Sequence, residues 1–260
     1  MGRIHAIKGK VNHMYLIEDG GLTLVDPEFP SSVDRVFKYV THRLGRELTD
    51  IKLVCATHAH LDHIGGLGKV ISKTKAKVAL PLASRGYIEG RKTYEVTVKE
   101  FIVRSLRQRF SKTKKPFSRK QLGEFLSFLA SLSRLPSLMD LLTMNIVGFS
   151  FFPHRFKVKV DFWLKDGDCL PSNSLWKMIS LPGHSSDSVC FYNARMRSLI
   201  AGDLIVSIGQ KPYLNPIILA DRSKALKSLK KLKQLGVDHL YPGCGSPIMK
   251  EGILKEIKAD

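Results

Sequence analysis

The segment Thr57-His58-Ala59-His60-Leu61-Asp62-His63 decides the fold of this chain. Four of its side chains, three imidazoles and one carboxylate, are of types that bind zinc and similar ions. The segment follows residues 51–56, an almost wholly apolar run that is typical of a strand buried on both faces. In extended backbone, His58 and His60 point to the same side and can bind one ion. Asp62 and His63 follow in a turn and would face a second, nearby position.

Three other interpretations of these motifs are open. The segment could be a solvated turn that is rich in histidine by chance. The run Gly65-Gly66-Leu67-Gly68 resembles part of a nucleotide loop, but it lacks the full dinucleotide fingerprint and indicates the start of a helix instead. Ser185-Ser186-Asp187, next to His184, could supply a serine nucleophile. With the metal-ligand types present, we interpret these hydroxyls as turn and strand-entry residues.

Strand and helix patterns extend from this segment in both directions. Short apolar runs, and a clean alternation at 156–164, predict strands at 14–17, 22–25, 51–56, 78–80, 156–164, 178–181, 188–192, 198–201 and 239–241. Helical spacing predicts helices from a Ser31-Ser32 cap to about 44, from 65 onwards, and over 224–235. Strands that alternate with helices in this way predict a mixed α/β fold.

Residues 84–156 interrupt that pattern. Residues 85–120 contain twelve Lys or Arg and three Glu, with apolar residues at helical spacing between them. We predict one domain over residues 1–260, with 84–156 as a mainly helical insertion that caps the site. Tyr87, Phe125 and Phe128 are candidate pocket residues. The insertion could instead form a dimer interface or a basic face for RNA.

With these motifs the chain resembles the metallo-β-lactamase superfamily, and within it the glyoxalase II-type hydrolases. The 57–63 segment matches the family's His-x-His-x-Asp-His motif, and Asp26 matches the acidic residue of its first motif. Pro182-Gly183-His184-Ser185 and Gly202-Asp203 match the third and fourth motifs. The final motif normally ends in histidine, but this chain has Pro242-Gly243-Cys244-Gly245 at that place.

The resemblance implies a four-layer αββα sandwich with a binuclear metal site at one edge. It implies that His58, His60 and His184 bind the first metal, that Asp62 and His63 bind the second, and that Asp203 bridges the two. Asp26 would hold a ligand imidazole from behind. Cys244 either supplies a thiolate to the second metal or is only a small buried residue. The implied cofactors are two divalent ions, zinc first, with iron or manganese as alternatives.

The resemblance also implies a metal-dependent hydrolase that uses a metal-bound hydroxide. Asp62 would orient the nucleophile as the catalytic residue. We expect a small ester, thioester or lactone as substrate. The alternatives are a phosphodiesterase or nuclease acting on nucleic acid, and a non-catalytic metal-binding sensor module in which Cys244 marks an altered site. A redox role with iron is disfavoured, because no flavodoxin-like segment follows.

Composition adds weaker constraints. The net charge of +19 over 260 residues favours an anionic partner or simply a lysine-rich surface. Few aromatic residues accompany the basic ones at 85–120, so nucleic acid is not favoured as a partner. None of the four cysteines forms a Cys-x-x-Cys pair, which favours a reducing cytoplasm. We expect no membrane span, and a homo-oligomer is compatible with the sequence.

Overall fold

The structure, a computed structural model, describes residues 2–92, 158–171, 173–216 and 218–257. Two six-stranded sheets lie face to face in these residues, and helices cover the outer face of each sheet. The layers therefore run helix, sheet, sheet, helix. The predicted α/β class and the four-layer αββα arrangement are confirmed.

The first sheet keeps its strands in chain order. They are β1 (Arg3–Lys8), β2 (His13–Glu18), β3 (Leu22–Val25), β4 (Ile51–Cys55), β5 (Lys77–Pro81) and β6 (Phe162–Leu164). Strands β1 to β3 are antiparallel, whereas β3 to β6 are parallel. Parallel strands end at a common edge, so the residues that follow β3 and β4 are neighbours.

The second half of the chain contributes the other strands. They are β7 (Cys169–Leu170), β8 (Asn173–Ser180), β9 (Val189–Asn193), β10 (Ser198–Gly202), β11 (Ile205–Ile208), β12 (Lys211–Leu214), β13 (His239–Pro242) and β14 (Ile248–Met249). Six of them form a sheet in the order β14-β13-β10-β9-β8-β7, and β11 pairs with β12 as a separate hairpin. Strands β10 and β13 are parallel, which again brings two strand ends to one edge.

Five α-helices connect these strands in the described residues: α1 (Pro30–Lys38), α2 (Leu61–Ile64), α3 (Leu67–Thr74), α4 (Arg85–Ile88) and α5 (Arg222–Leu232). Helix α1 continues into a π-helical stretch, Tyr39–Arg43. Short 3-10 helices lie at Leu48–Asp50, Leu82–Ser84 and Ile253–Glu256. No helix among the described ranges has the length and apolar character that crossing a membrane requires.

The alternation of side chains along β2 shows how the layers are filled. Tyr15 and Ile17 point into the core between the sheets, where they join Trp176 and Phe191 of the second sheet. Met14 and Leu16 point to the outer core, beneath helices α1 and α3. A strand covered on both faces is mostly apolar, and the buried positions of β2 to β5 are apolar except for Thr23.

Several element boundaries differ from the sequence prediction. Helix α1 begins at Pro30 with Phe29 at its N-cap and no side-chain cap, so a Ser31-Ser32 cap is wrong. The strand predicted over 156–164 is reduced to β6 among the described residues. Strand β1 and the β11–β12 hairpin were missed because their residues lack a long alternating pattern. Asp62 and His63 lie in the short helix α2 rather than in a turn.

Most of the predicted insertion, including Phe125 and Phe128, lies outside the described residues, which resume at 158. Its described beginning packs on the sandwich. Tyr87 and Ile88 of α4 are buried in the outer core of the first sheet. The cap and its place beside the metal edge stay predictions.

Gly66 tests the packing between the metal-motif helix and the outer layer. A Cβ there would lie 2.1 Å from the Pro27 carbonyl oxygen and 2.5 Å from Val33 Cγ2. We expect Gly66→Ala to lower the free energy of unfolding by about 1–3 kcal/mol, because backbone must move. The control is Gly21→Ala, whose Cβ would lie 3.5 Å from Lys52 Cγ. Its expected change is below about 0.5 kcal/mol, and equal urea midpoints for both variants would contradict the prediction.

Candidate metal centre

The residues of the expected metal site lie in segments that follow strand ends at one edge of the sandwich. Asp26 follows β3, His58 follows β4 closely, Asp203 follows β10 directly, and Cys244 comes two residues after β13. His184 lies in the loop between β8 and β9. The strand order places these loops together, so one edge gathers residues from both halves of the chain.

Three imidazoles form the first group. His60 Nδ1 lies 3.0 Å from His58 Nε2 and 3.1 Å from His184 Nε2. Their ligand atoms all lie within 4.8 Å of one another. Zinc–nitrogen bonds of about 2.0–2.1 Å in a tetrahedral site set nitrogens about 3.3 Å apart. The two distances from His60 Nδ1 are therefore close to those between the nitrogens of a zinc site.

Hydrogen bonds at the back of these rings fix their tautomers. His184 Nδ1 lies 2.9 Å from the Ile218 carbonyl, which can only accept, so Nδ1 carries the proton and Nε2 presents a lone pair. Thr57 Oγ1 donates to Asp26 Oδ2 at 2.9 Å, so it accepts from His58 Nδ1 at 3.1 Å. His58 Nε2 is thereby a lone pair as well, aimed into the group.

This donor set fits a metal ion. Two or three nitrogen lone pairs at about 3 Å repel one another unless a proton or a cation lies between them. Burial lowers the pKa of His60 to about 4, helped by the neighbouring His184. Burial also lowers the pKa of His58 well below its ordinary value. Burial thus favours the neutral form of His58 and His60, the form in which imidazole binds metal.

A second group lies beside the first and contains His58, His63 and Asp203. His63 Nε2 lies 3.4 Å from Asp203 Oδ1 and 3.9 Å from Asp62 Oδ2. Asp203 Oδ2 also lies 3.8 Å from His184 Nε2 of the first group, so Asp203 stands between the groups. Asp203 Oδ1 is buried with no hydrogen-bond partner among the described residues. An orphaned carboxylate oxygen at this point fits a cation as its partner.

Carboxylates surround His63 and decide its charge preference. Burial alone would lower its pKa, but Asp203, Asp26 and Asp62 raise the pKa of His63 well above its ordinary value. In turn, burial of Asp203 is outweighed by the nearby His63, and the pKa of Asp203 lies well below its usual range. The second group is therefore a region of negative potential that favours a cation.

Asp26 supports both groups from behind. Its carboxylate accepts the Thr57 backbone N–H at 2.7 Å and the Thr57 hydroxyl at 2.9 Å. Its Oδ2 also lies 3.1 Å from His63 Nδ1. The side chain is almost fully buried. One carboxylate thus contacts His63 directly and His58 through Thr57.

Cys244 belongs to neither group among the described residues. Its thiol is free and half-buried. Burial and the negative charges of Asp203 and Asp62 raise the pKa of Cys244 to about 12. Cys244 therefore lies on the side of the second group, without its sulfur joining the cluster of ligand atoms. The other three cysteines are also free.

Asp187 is a site residue that the sequence interpretation missed. Its Oδ2 accepts the Ala59 backbone N–H at 2.8 Å and the Ser84 hydroxyl at 2.7 Å, and its Oδ1 accepts the Ser185 hydroxyl at 2.6 Å. Ala59 lies between two of the imidazoles of the first group, and Ser185 follows the third. Asp187 therefore joins the two loops that carry this group. These contacts also explain the Ser185-Ser186-Asp187 run.

The pocket candidate Tyr87 lies near the same loop. Its hydroxyl is 2.7 Å from Ser186 Oγ, and its ring is buried in the outer core. Tyr87 thus braces the loop after His184 and presents little free surface to a substrate.

The chain resembles known proteins in both sequence and structure. A sequence model described as the metallo-beta-lactamase superfamily matches residues 8–244. Probable metallo-hydrolase YflN of Bacillus subtilis strain 168 is 22% identical over 264 residues, covering 94% of this chain and 84% of YflN. Metallo-beta-lactamase family protein TTHA1429 from Thermus thermophilus superposes with a TM-score of 0.60 at 19% identity, covering 97% of this chain and 76% of its own. TTHA1623, solved in a di-iron-bound form, superposes with a TM-score of 0.55 at 19% identity, and the match covers 95% of this chain and 94% of TTHA1623.

Replacing Asp187 with asparagine tests its role as the link between the two loops. We expect Asp187→Asn to lower zinc affinity by about tenfold, because the outer partner of the ligand loops is weakened. We expect the free energy of unfolding to fall by about 1–3 kcal/mol, because buried donors lose their acceptor. Zinc titration and urea unfolding measure the two effects. Asp168→Asn, in an exposed turn, is the control. Unchanged zinc affinity in Asp187→Asn would refute the role.

Proposed function

The chain belongs to the metallo-β-lactamase superfamily, and from this we propose that it is a metal-dependent hydrolase built on the three-imidazole group. The observation that carries the proposal is the convergence of His58 Nε2, His60 Nδ1 and His184 Nε2. Two of these atoms are fixed as lone pairs by hydrogen bonds at the far side of their rings. Such preorganised nitrogen donors are what a catalytic zinc site requires.

Each residue at the edge has a proposed role. His58, His60 and His184 would hold the first metal, and Asp203, His63 and Asp62 would hold a second. Asp26 orients His63 and, through Thr57, His58. Zinc is the proposed ion, and iron is the alternative, since TTHA1623 was solved in a di-iron-bound form. Elemental analysis of purified protein distinguishes zinc, iron and manganese.

The metal would supply Lewis acidity, which lowers the pKa of a water to about 7 and polarises a substrate oxygen. The chain's own residues position the reactants. The Asp62 side chain is 31% exposed, so its carboxylate faces the solvent side of the edge, whereas His58 and His184 are buried and His60 is partly exposed. Asp62 is therefore the proposed catalytic residue, which orients the attacking water by accepting its hydrogen bond.

We propose a small ester, thioester or lactone as the substrate, with residues 84–156 as the cap that forms the pocket. The name of YflN, a probable metallo-hydrolase, supports hydrolysis as the reaction but does not say which type of bond is cleaved. A phosphodiester is the alternative, and no contact in the described residues favours it. A panel of thioester, lactone, ester and phosphodiester substrates decides, and turnover of phosphodiesters alone would overturn the proposed substrate class.

The first test removes one imidazole. We expect His60→Ala to lose detectable turnover and to fall from about one tightly bound metal per chain towards none, because two nitrogens bind zinc weakly. The control is His42→Ala, an exposed imidazole on the π-helical stretch. Metal content and turnover are measured for both variants. Full activity of His60→Ala after dialysis against a chelator would show that the metal group is not the active site.

The second test concerns Cys244. Because its sulfur joins neither group, we expect Cys244→Ser to retain the tightly bound metal. We also expect the Cys244 thiol to be alkylated at the same rate with and without metal, and the exposed Cys169 is the internal standard. Loss of about one metal per chain in the serine variant, with protection of the thiol by metal, would show instead that Cys244 is a thiolate ligand.

A further inference from the structure

The side-chain amide of Asn12 lies on the second group. Asn12 Nδ2 is 2.9 Å from His63 Nε2 and 2.9 Å from Asp62 Oδ2, with the Asp62 carbonyl at 3.3 Å. In the neutral form of His63, the form that binds metal, a proton on Nδ1, 3.1 Å from Asp26 Oδ2, leaves Nε2 as the acceptor of the amide. Both amide hydrogens are thus directed at the two atoms through which His63 and Asp62 would bind a metal.

Glu28 holds this amide in place. Its fully buried carboxylate accepts the backbone N–H groups of Lys10, Val11 and Asn12, at 2.7, 2.5 and 2.9 Å. Gly9 closes the loop, because a Cβ there would lie 2.1 Å from Glu28 Oε2. A loop fixed by three charge-assisted hydrogen bonds cannot easily carry the Asn12 side chain away.

An amide N–H and a metal ion compete for the same lone pairs. The amide nitrogen presents positive hydrogens, so a cation cannot bind His63 Nε2 and Asp62 Oδ2 while Asn12 donates to both. The fourth expected ligand of this position, Cys244, stands outside the group of ligand atoms. At the second position, therefore, His63 and Asp62 are engaged by the Asn12 amide, and the Cys244 sulfur lies outside the group of ligand atoms.

We propose that Asn12 makes the two metal positions unequal. The three-imidazole group binds one metal tightly, and a second metal binds only after the Asn12 amide is displaced from His63 and Asp62. The inference rests on the proposed function, since it assumes that the first group binds metal. It assigns to Asn12 control over how many metals the chain carries.

Zinc titration by calorimetry of the full-length, metal-stripped protein tests this, with Asn12→Ala and Asn12→Asp as variants. For the unaltered chain we expect one tight equivalent and a second at least about a hundredfold weaker. Asn12→Ala removes the competing donor, so the second affinity should rise about tenfold. Asn12→Asp replaces the donor with a carboxylate ligand, so it should rise further. The first affinity should stay unchanged in both variants, and urea unfolding checks that each variant is still folded.

Asn173→Asp is the matched control, because the Asn173 amide also donates to a carboxylate, that of Asp19, at 2.9 Å and outside both metal groups. It should leave both zinc affinities unchanged. Cobalt(II) gives an independent readout, since its visible absorption should stop growing near one equivalent in the unaltered chain and near two in Asn12→Asp.

Two results overturn the inference while leaving the proposed function intact. One is two equally tight zinc equivalents in the unaltered chain. The other is an unchanged or weakened second affinity in Asn12→Ala, which would mean that the amide supports the site. Failure of the proposed function gives a different result, namely no tight zinc equivalent in the unaltered chain or in any variant.

Discussion

The contact between the Asp26 carboxylate and Thr57 is the interaction on which the metal edge depends. Asp26 has a positive φ of 55°, which turns the chain sharply at the end of β3 and directs its carboxylate across to the end of β4. There it accepts both the N–H and the hydroxyl of Thr57. The engaged hydroxyl can then only accept from His58 Nδ1, which sets the tautomer of His58. The Asp26 carboxylate, acting through the Thr57 hydroxyl, thus determines that His58 Nε2 carries the lone pair.

Glycines let the second sheet approach that contact. Gly202 has a φ of 55°, and a Cβ on it would lie 2.7 Å from Thr57 Oγ1. Only glycine satisfies both the backbone angle and the space at this point. Because Asp203 is the next residue, the same glycine sets the carboxylate between the two groups. The two halves of the sandwich therefore meet at the metal edge through a backbone position that permits no side chain.

The sequence was sufficient to predict the parts of this arrangement that local pattern controls. The strand at residues 51–55 is apolar except for the exposed Lys52, and the imidazoles follow this strand closely, so fold class and candidate ligands were predictable. Asp187 and Glu28 were not, because an isolated acidic residue gives no sign of which distant backbone groups it will accept. The amide of Asn12 lies 50 residues from Asp62 in the chain, so only the folded structure brings them together.

Buried carboxylates explain how an edge made of loops can be rigid. Asp26, Glu28 and Asp187 are at most 2% exposed, and burying an unpaired carboxylate would cost several kcal/mol, on the order of the whole stability of a domain. Each is instead surrounded by backbone N–H or hydroxyl donors from segments that have no strand or helix partner for those donors. The N–H and hydroxyl groups of the loops need acceptors, and the buried carboxylates need donors, so the hydrogen bonds between them satisfy both. The edge gains fixed positions for its imidazoles because a loop that moved would leave a buried charge unpaired.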